Sequence, residues 1–341
     1  MNVPPTDTEE TGDRRDPEMP PEAPREPERP RRWWKERGMK GVLIACSVAL
    51  VVHLIPLFLP RNMPEQDLAL ARVIPDAAQR VQVLKKLKEN PKATGANLRE
   101  AAELVQEGAP LDAYELAKEA EKRAPGEVET QLLLARVCHG QRMNRCEEES
   151  LAKAVELAPG DPRVDLLRAD FAERDGDVGG ALKAVEKAYG KAPGEVGVGV
   201  RYGRLLSEAG WGEEAIQVLR KLEGVLGRAK VWVEEGRVRA TQGRMKEAKE
   251  LFAKAVKEEP GLVMGHYHLG MAAYRVGDVE GAEEALREAD RLNMSDMRPL
   301  SALCEIQRQT GRLDDMRATR MDLERRFPER MAAVRSACRT P

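Results

Sequence analysis

The chain changes polarity twice along its length. Residues 1–32 hold eight prolines, six arginines and nine acidic residues, with Met1, Val3, Met19 and Ala23 as the apolar side chains. So little apolar surface cannot offset the entropy of ordering. A disordered, solvated tail is expected, rather than a docking peptide built on Pro20, Pro21, Pro24, Pro27 and Pro30. Residues 41–60 are the reverse, the predominantly apolar run GVLIACSVALVVHLIPLFLP without a formal charge, and twenty such residues are enough to cross hydrocarbon. From residue 94 the pattern changes again, to small and apolar residues that return at a fixed interval.

That interval is 34. Pro125, Pro159 and Pro193 are spaced by it, Pro260 follows after 67 and Pro328 after 68, as 34-residue units with one single-residue deletion would give. Seven units fit, beginning at Thr94, Val128, Pro162, Val196, Ala229, Val263 and Met297, the fourth one residue short. The eighth place of each unit is small: Ala101, Ala135, Ala169, Gly203, Gly236, Gly270 and Cys304. A glycine recurs at the fifteenth (Gly108, Gly176, Gly210, Gly243, Gly277, Gly311), and alanine at the twentieth and twenty-seventh in most units. This spacing predicts a helix hairpin, two helices of about twelve residues each joined where glycine can take the left-handed conformation that ends a helix. Small residues let the two axes approach closely. One hairpin cannot cover its own apolar stripe, so each needs its neighbour.

The unit from Ala229 carries Trp232, Gly236, Ala248, Phe252, Ala255 and Pro260, and so resembles the tetratricopeptide repeat (TPR) family, with Glu235 and Arg239 departing from its pattern. The unit from Val263 repeats the frame with His266, Leu269, Gly270, Ala282, Leu286 and Ala289. The second unit is weakest, because Arg142 and Glu147 stand at the places of the turn glycine and the small alanine. The resemblance implies an all-α TPR solenoid of about seven helix-turn-helix repeats, and the apolar run at 41–60 is expected to put one N-terminal transmembrane helix before it. The domains expected are a tail (1–32), an anchor with a basic, Trp-bearing flank (33–60), a linker and divergent helical pair (61–93), the array (94–330) and a C-terminal cap (331–341).

Composition and charge add an orientation. With 4% aromatic residues a sheet-rich fold is disfavoured, and a net charge of -2 points to no nucleic acid. Seven Lys and Arg lie between residues 25 and 40, against Arg61 and Arg72 in residues 61–75. The basic side stays in the cytoplasm, which predicts a single-pass bacterial inner-membrane protein with its array in the periplasm. Leu43 to Cys46 mimic a lipoprotein cleavage box, but the apolar run continues past Cys46, so an uncleaved anchor is expected. His53 within it is read as tolerated, not functional.

Candidate chemistry is sparse, and no enzyme, metal site, cofactor or small-molecule substrate is expected. Gly197, Gly199 and Gly203 lack the strand and spacing of a phosphate loop; His266 and His268 point to different sides of a helix; Cys138, His139 and Cys146 lack a fourth zinc ligand. Cys138 and Cys146 lie at places eleven and nineteen, symmetric about the hairpin turn, and a disulfide between them is expected, in keeping with an oxidising compartment. Cys304 and Cys338, 34 apart, are read as two buried small residues, with pairing as the alternative. In the TPR family, places two, five, nine and twelve of the first helix line a concave groove. The resemblance therefore implies a peptide-binding groove of Arg136, Arg163, Arg204, Lys230 and Arg237 with an adhesive stripe of Met264, Tyr267, Met271 and Tyr274. His139, Arg298 and Arg308 hold further such places. The expected function is a membrane-tethered scaffold holding a protein or peptide partner in envelope assembly, secretion or cytochrome c maturation. The alternative is a periplasmic chaperone that holds unfolded exported chains.

Overall fold

A computed structural model describes residues 63–339. The tail, the span at 41–60 and its Cys46 and His53 lie outside the described residues. Among the described residues no helix is long and apolar enough to cross a membrane.

Eighteen α-helices and no strand occupy the described residues. Helices α1 (Pro64–Val73) and α2 (Ala77–Lys85) precede seven hairpins. These are α3 (Gly95–Val105) with α4 (Pro110–Arg123), α5 (Val128–Gly140) with α6 (Asn144–Leu157), and α7 (Pro162–Arg174) with α8 (Val178–Lys191). Next come α9 (Val196–Glu208) with α10 (Gly212–Lys221), the four-residue α11 (Glu223–Leu226), and α12 (Arg228–Thr241) with α13 (Met245–Glu258). The last hairpins are α14 (Val263–Arg275) with α15 (Val279–Leu292) and α16 (Arg298–Gln309) with α17 (Leu313–Arg326); α18 (Met331–Ala337) follows.

The helices start and stop where local chemistry directs. Thr94 and Asn97 form a reciprocal capping box at α3, and the side chains of Asp177 and Asp278 accept from the Gly180 and Gly281 amides to open α8 and α15. Gly176, Gly210, Gly243, Gly277 and Gly311 end the first helix of their hairpins at positive φ. Gly108 is not among the positive-φ glycines, and in the second hairpin Arg142 takes the left-handed conformation itself, at φ 55°. There Cys138 and Cys146 are joined by a disulfide, Cα atoms 5.8 Å apart. The covalent tie closes the hairpin that lacks both the turn glycine and the small alanine.

Close approach at the eighth place sets the packing within each hairpin. A Cβ added to Gly236 would lie 2.6 Å from the Phe252 ring, and one on Gly270 2.7 Å from Leu286. These side chains continue into clusters that run along the array: Ala229, Val233, Ala248, Phe252 and Ala272 form one, and Leu286, Leu303, Cys304 and Leu323 belong to the next. Leu68 and Leu84 of the leading pair share a cluster with Leu98 and Ala101. Arg123 fastens the same junction, donating to the carbonyls of Lys88, Asn90 and Ala93 at 2.6, 2.9 and 2.6 Å. At the other end Cys304 is bonded to Cys338, against the sequence reading of two separate buried residues. Residue 338 follows α18, which lies against both helices of the seventh hairpin, so the 34-residue spacing brings the two sulfurs face to face.

Gly236→Ala is expected to cost about 1–3 kcal/mol through overpacking, whereas Gly190→Ala, where an added Cβ meets nothing within 4 Å, should be neutral or slightly stabilising; urea denaturation of both variants checks the contrast. Replacing Cys138 and Cys146 together by alanine should lower stability by roughly 2–3 kcal/mol, and an unchanged denaturation midpoint would contradict that role.

Candidate binding groove

The first helices line two furrows. The smaller, of about 270 Å³, lies across α5 and α7 and contains Arg136 and Arg163 over Leu132, Leu166 and Leu167. The larger, of about 600 Å³, lies across α9, α12 and α14 and contains Arg204, Lys230, Arg237 and Met264. Its floor is Val196, Val200, Val233 and Leu262, and its walls include Gly197, Arg201, Glu234 and Leu226. Six of the nine groove residues expected from the sequence thus fall in these furrows, at places two and nine of their units.

Leu226 enters through the missing residue of the fourth unit. Helix α10 stops at Lys221, α11 makes one extra turn, and Gly227 at φ 90° starts α12. Leu222, at the head of that turn, packs where a Cβ on Gly199 would lie 2.7 Å from its side chain. This is why glycine stands at 199 within a helix. The shortened hairpin therefore contributes an apolar side chain to the groove that no repeat place predicts.

The groove is less freely basic than its arginines suggest. Arg163 pairs with Asp161 at 2.6 Å and Glu129 at 3.1 Å; Arg204 pairs with Glu173 at 3.0 Å and Glu208 at 3.5 Å; Arg237 meets Glu234 at 2.7 Å. Arg201 reaches Asp170 at 2.6 Å and Glu173 at 3.2 Å. Partners 31 and 34 residues away, at neighbouring places in the preceding repeat, supply several of these carboxylates. Arg136 and Lys230 make no ion pair or hydrogen bond among the described residues. Burial lifts the Glu234 carboxyl above its ordinary range, against the pull of Arg237.

Tyr267, Met271 and Tyr274 do not line either furrow. Tyr267 lies under the Arg298 guanidinium at 5.7 Å and edge-on to His268, and the Tyr274 hydroxyl donates to Gln309. Both tyrosines pack, half-buried, on the C-terminal core cluster, so part of their surface joins repeats six and seven. Met264 alone of that stripe reaches the groove. His139 is likewise turned away: its ring stacks on Phe171 at 3.9 Å and its Nδ1 lies 3.1 Å from Glu147. Arg201, Glu234 and Leu226 were missed by place counting, although place six, shared by Arg201 and Glu234, follows from the same helical frame; Gly197 holds place two but has no side chain to nominate. His268, behind the groove, stacks on Phe252 and has a buried Nε2 without a partner among the described residues. Burial first, then Arg237 and Arg298, push its pKa down to about 4.

The tetratricopeptide repeat model matches residues 148–196 and 233–296. These two segments, about a third of the chain, are similar to tetratricopeptide repeats. The first runs from α6 to the start of α9 and the second covers most of the fifth and sixth hairpins, so the matched segments flank and contribute to the larger furrow. No curated protein matches the chain. Among solved structures, yeast Tom70 is 14% identical with a TM-score of 0.54, the match covering 76% of this chain and 58% of that one. The likeness shows the TPR solenoid fold, and the chain spans little more than half of that structure's length. PilW, a type IV pilus biogenesis factor, is 16% identical with a TM-score of 0.45, covering 61% and 97% of the two chains. YrrB, a TPR protein with an unusual peptide-binding site, is 18% identical at 0.38, covering 55% and 98%.

The His268 shift carries a sign. Between its ordinary value of 6.5 and about 4 the unfolded chain binds a proton that the native ring refuses, so stability contributed by His268 is complete above 6.5 and is lost as pH falls across that window, by about 3 kcal/mol. His268→Phe keeps the ring stack and should lose this component; parallel pH dependences for the two proteins would contradict it.

Proposed function

We propose that the protein is a membrane-tethered TPR scaffold whose larger furrow holds a segment of a partner protein. The observation that carries this reading is the furrow itself. Three successive first helices enclose an apolar trough rimmed by cations, one of which, Lys230, has no carboxylate of its own. Apolar floors supply affinity and a few placed polar groups supply orientation. The cations already paired across repeats hold the walls in register, so a ligand meets a formed surface. No set of clustered catalytic groups lines it, and the reading is of a binding function without chemistry. The tether and the side of the membrane rest on the apolar run at 41–60 and the basic residues before it. Two disulfides beyond that run accord with an oxidising compartment, and the partner is then extracytoplasmic, in envelope assembly, secretion or cytochrome c maturation. In the holdase alternative the Met and Tyr stripe would matter more than the arginines; the packing of half-buried Tyr267 and Tyr274 against the C-terminal cluster favours the scaffold reading.

A photo-crosslinking side chain at Lys230 should yield a discrete adduct in intact cells, and the same group at Lys254, exposed on α13 outside the furrow, should not. Equal labelling from both positions, or none from either, would contradict a groove-bound partner. An enzyme reporter fused after Pro341 that works only outside the cytoplasm should be active; activity of a cytoplasm-only reporter would overturn the placement.

A further inference from the structure

The larger furrow has a notch. At place two, the second, third, fifth, sixth and seventh units carry Glu129, Arg163, Lys230, Met264 and Arg298, whereas the fourth, like the first with Gly95, carries a glycine, Gly197. Gly197 is exposed, and a Cβ built on it meets nothing within 4 Å. Its absence of side chain leaves open space beside Val196, Val200, Val233 and Leu226. Space of that kind, walled by aliphatic groups, is filled favourably by an apolar side chain from outside.

Charge narrows the occupant further. Among the groups lining the furrow four are cationic (Arg201, Arg204, Lys230 and Arg237) and Glu234 is the single carboxylate. That carboxylate already faces Arg237, and carboxylates outside the lining answer Arg201 and Arg204. Lys230 is left over. The other furrows show no such bias. Across α5 and α7, Arg136 and Arg163 face Glu103, Glu129 and Asp170, and the furrow between α13 and α15 is rimmed by the pairs Lys249 with Asp278 and Glu288 with Arg291.

We infer that the segment seated in the larger furrow is acidic and apolar together, a bulky aliphatic or aromatic side chain filling the notch at Gly197 while a carboxylate a few residues away meets Lys230. The inference rests on the furrow being the binding surface and adds what that surface selects. A basic segment would leave Lys230 and the arginine rim facing like charge. A purely apolar one would leave the Lys230 ammonium without a counter-ion at the edge of the contact.

The test uses the full chain in detergent micelles and a displayed library of random dodecapeptides, followed by anisotropy measurements with the strongest labelled peptide. Enriched sequences should place Asp or Glu near Leu, Ile, Phe or Met. G197L and K230E should each weaken binding about tenfold or more, a loss of the size expected for a filled anchor pocket or a reversed contact charge. K254E should leave binding unchanged. Because G197L puts a side chain into open space and replaces a helical glycine, its denaturation midpoint should stay or rise, which separates lost binding from lost folding. Enrichment of basic or uncharged peptides, or acidic and apolar binders indifferent to both substitutions, would overturn the selectivity while leaving the furrow as the binding surface if Arg204→Glu or Arg237→Glu still weakens them. Failure to enrich any peptide sensitive to a furrow substitution would overturn both readings. A dimer that G197L or K230E dissociates would make a second copy the occupant and likewise overturn the proposal.

Discussion

Everything in this array depends on how closely two helices of one hairpin can approach. At the eighth place of the fourth to sixth units the side chain is a single hydrogen, and the Leu219, Phe252 or Leu286 side chain fills the space a Cβ would need. That contact fixes the two axes against each other and leaves each hairpin with a flat apolar flank, which the next hairpin covers. The second unit shows the constraint from the other side. Without the turn glycine its chain reverses through Arg142 at positive φ, a conformation a side chain resists, and a disulfide between Cys138 and Cys146 holds the reversal closed.

From that regularity comes a surface with two kinds of charge. Arg201, Arg204 and Arg237 are answered by carboxylates of their own helix or of the preceding repeat, so they brace the walls and contribute little net field. Lys230 and Arg136 are not answered. The distinction matters more than the count of basic residues, since a paired guanidinium must give up its partner before it can hold a ligand, whereas a free one need not. The irregular fourth unit then shapes the surface: a missing residue turns the chain through α11, carries Leu226 into the furrow, and accompanies a first helix so rich in glycine that the groove gains a notch.

Much of this was legible in the sequence. The 34-residue recurrence located every hairpin to within a residue or so, and the frame placed Arg204, Lys230, Arg237 and Met264 on one face because a helix repeats its geometry. Ion pairing was not legible, because Arg204 finds Glu173 only once two repeats are stacked, and no spacing within one unit encodes that. Nor was the role of Gly197: a glycine that leaves room for a ligand and one that leaves room for Leu222, as Gly199 does, look the same in a string of letters. That Tyr267 and Tyr274 lie against the seventh hairpin and not in the furrow was not legible either, since it depends on how α16 stacks on α14. Pairing of Cys304 with Cys338 needed the position of α18, a partial unit whose packing no full repeat predicts.

The central claim is that the hairpins form one continuous stack through the irregular junction at residues 222–228, so that α9, α12 and α14 hold a single furrow. Residue-resolved hydrogen exchange of the native protein tests it most directly. Amides in the facing parts of α9 and α12 should share one protection level, declining gradually toward both ends of the array. If α9 and the helices before it exchanged independently of α12 and those after it, with a step at the junction, the stack would be broken there and the furrow would not exist as a fixed surface.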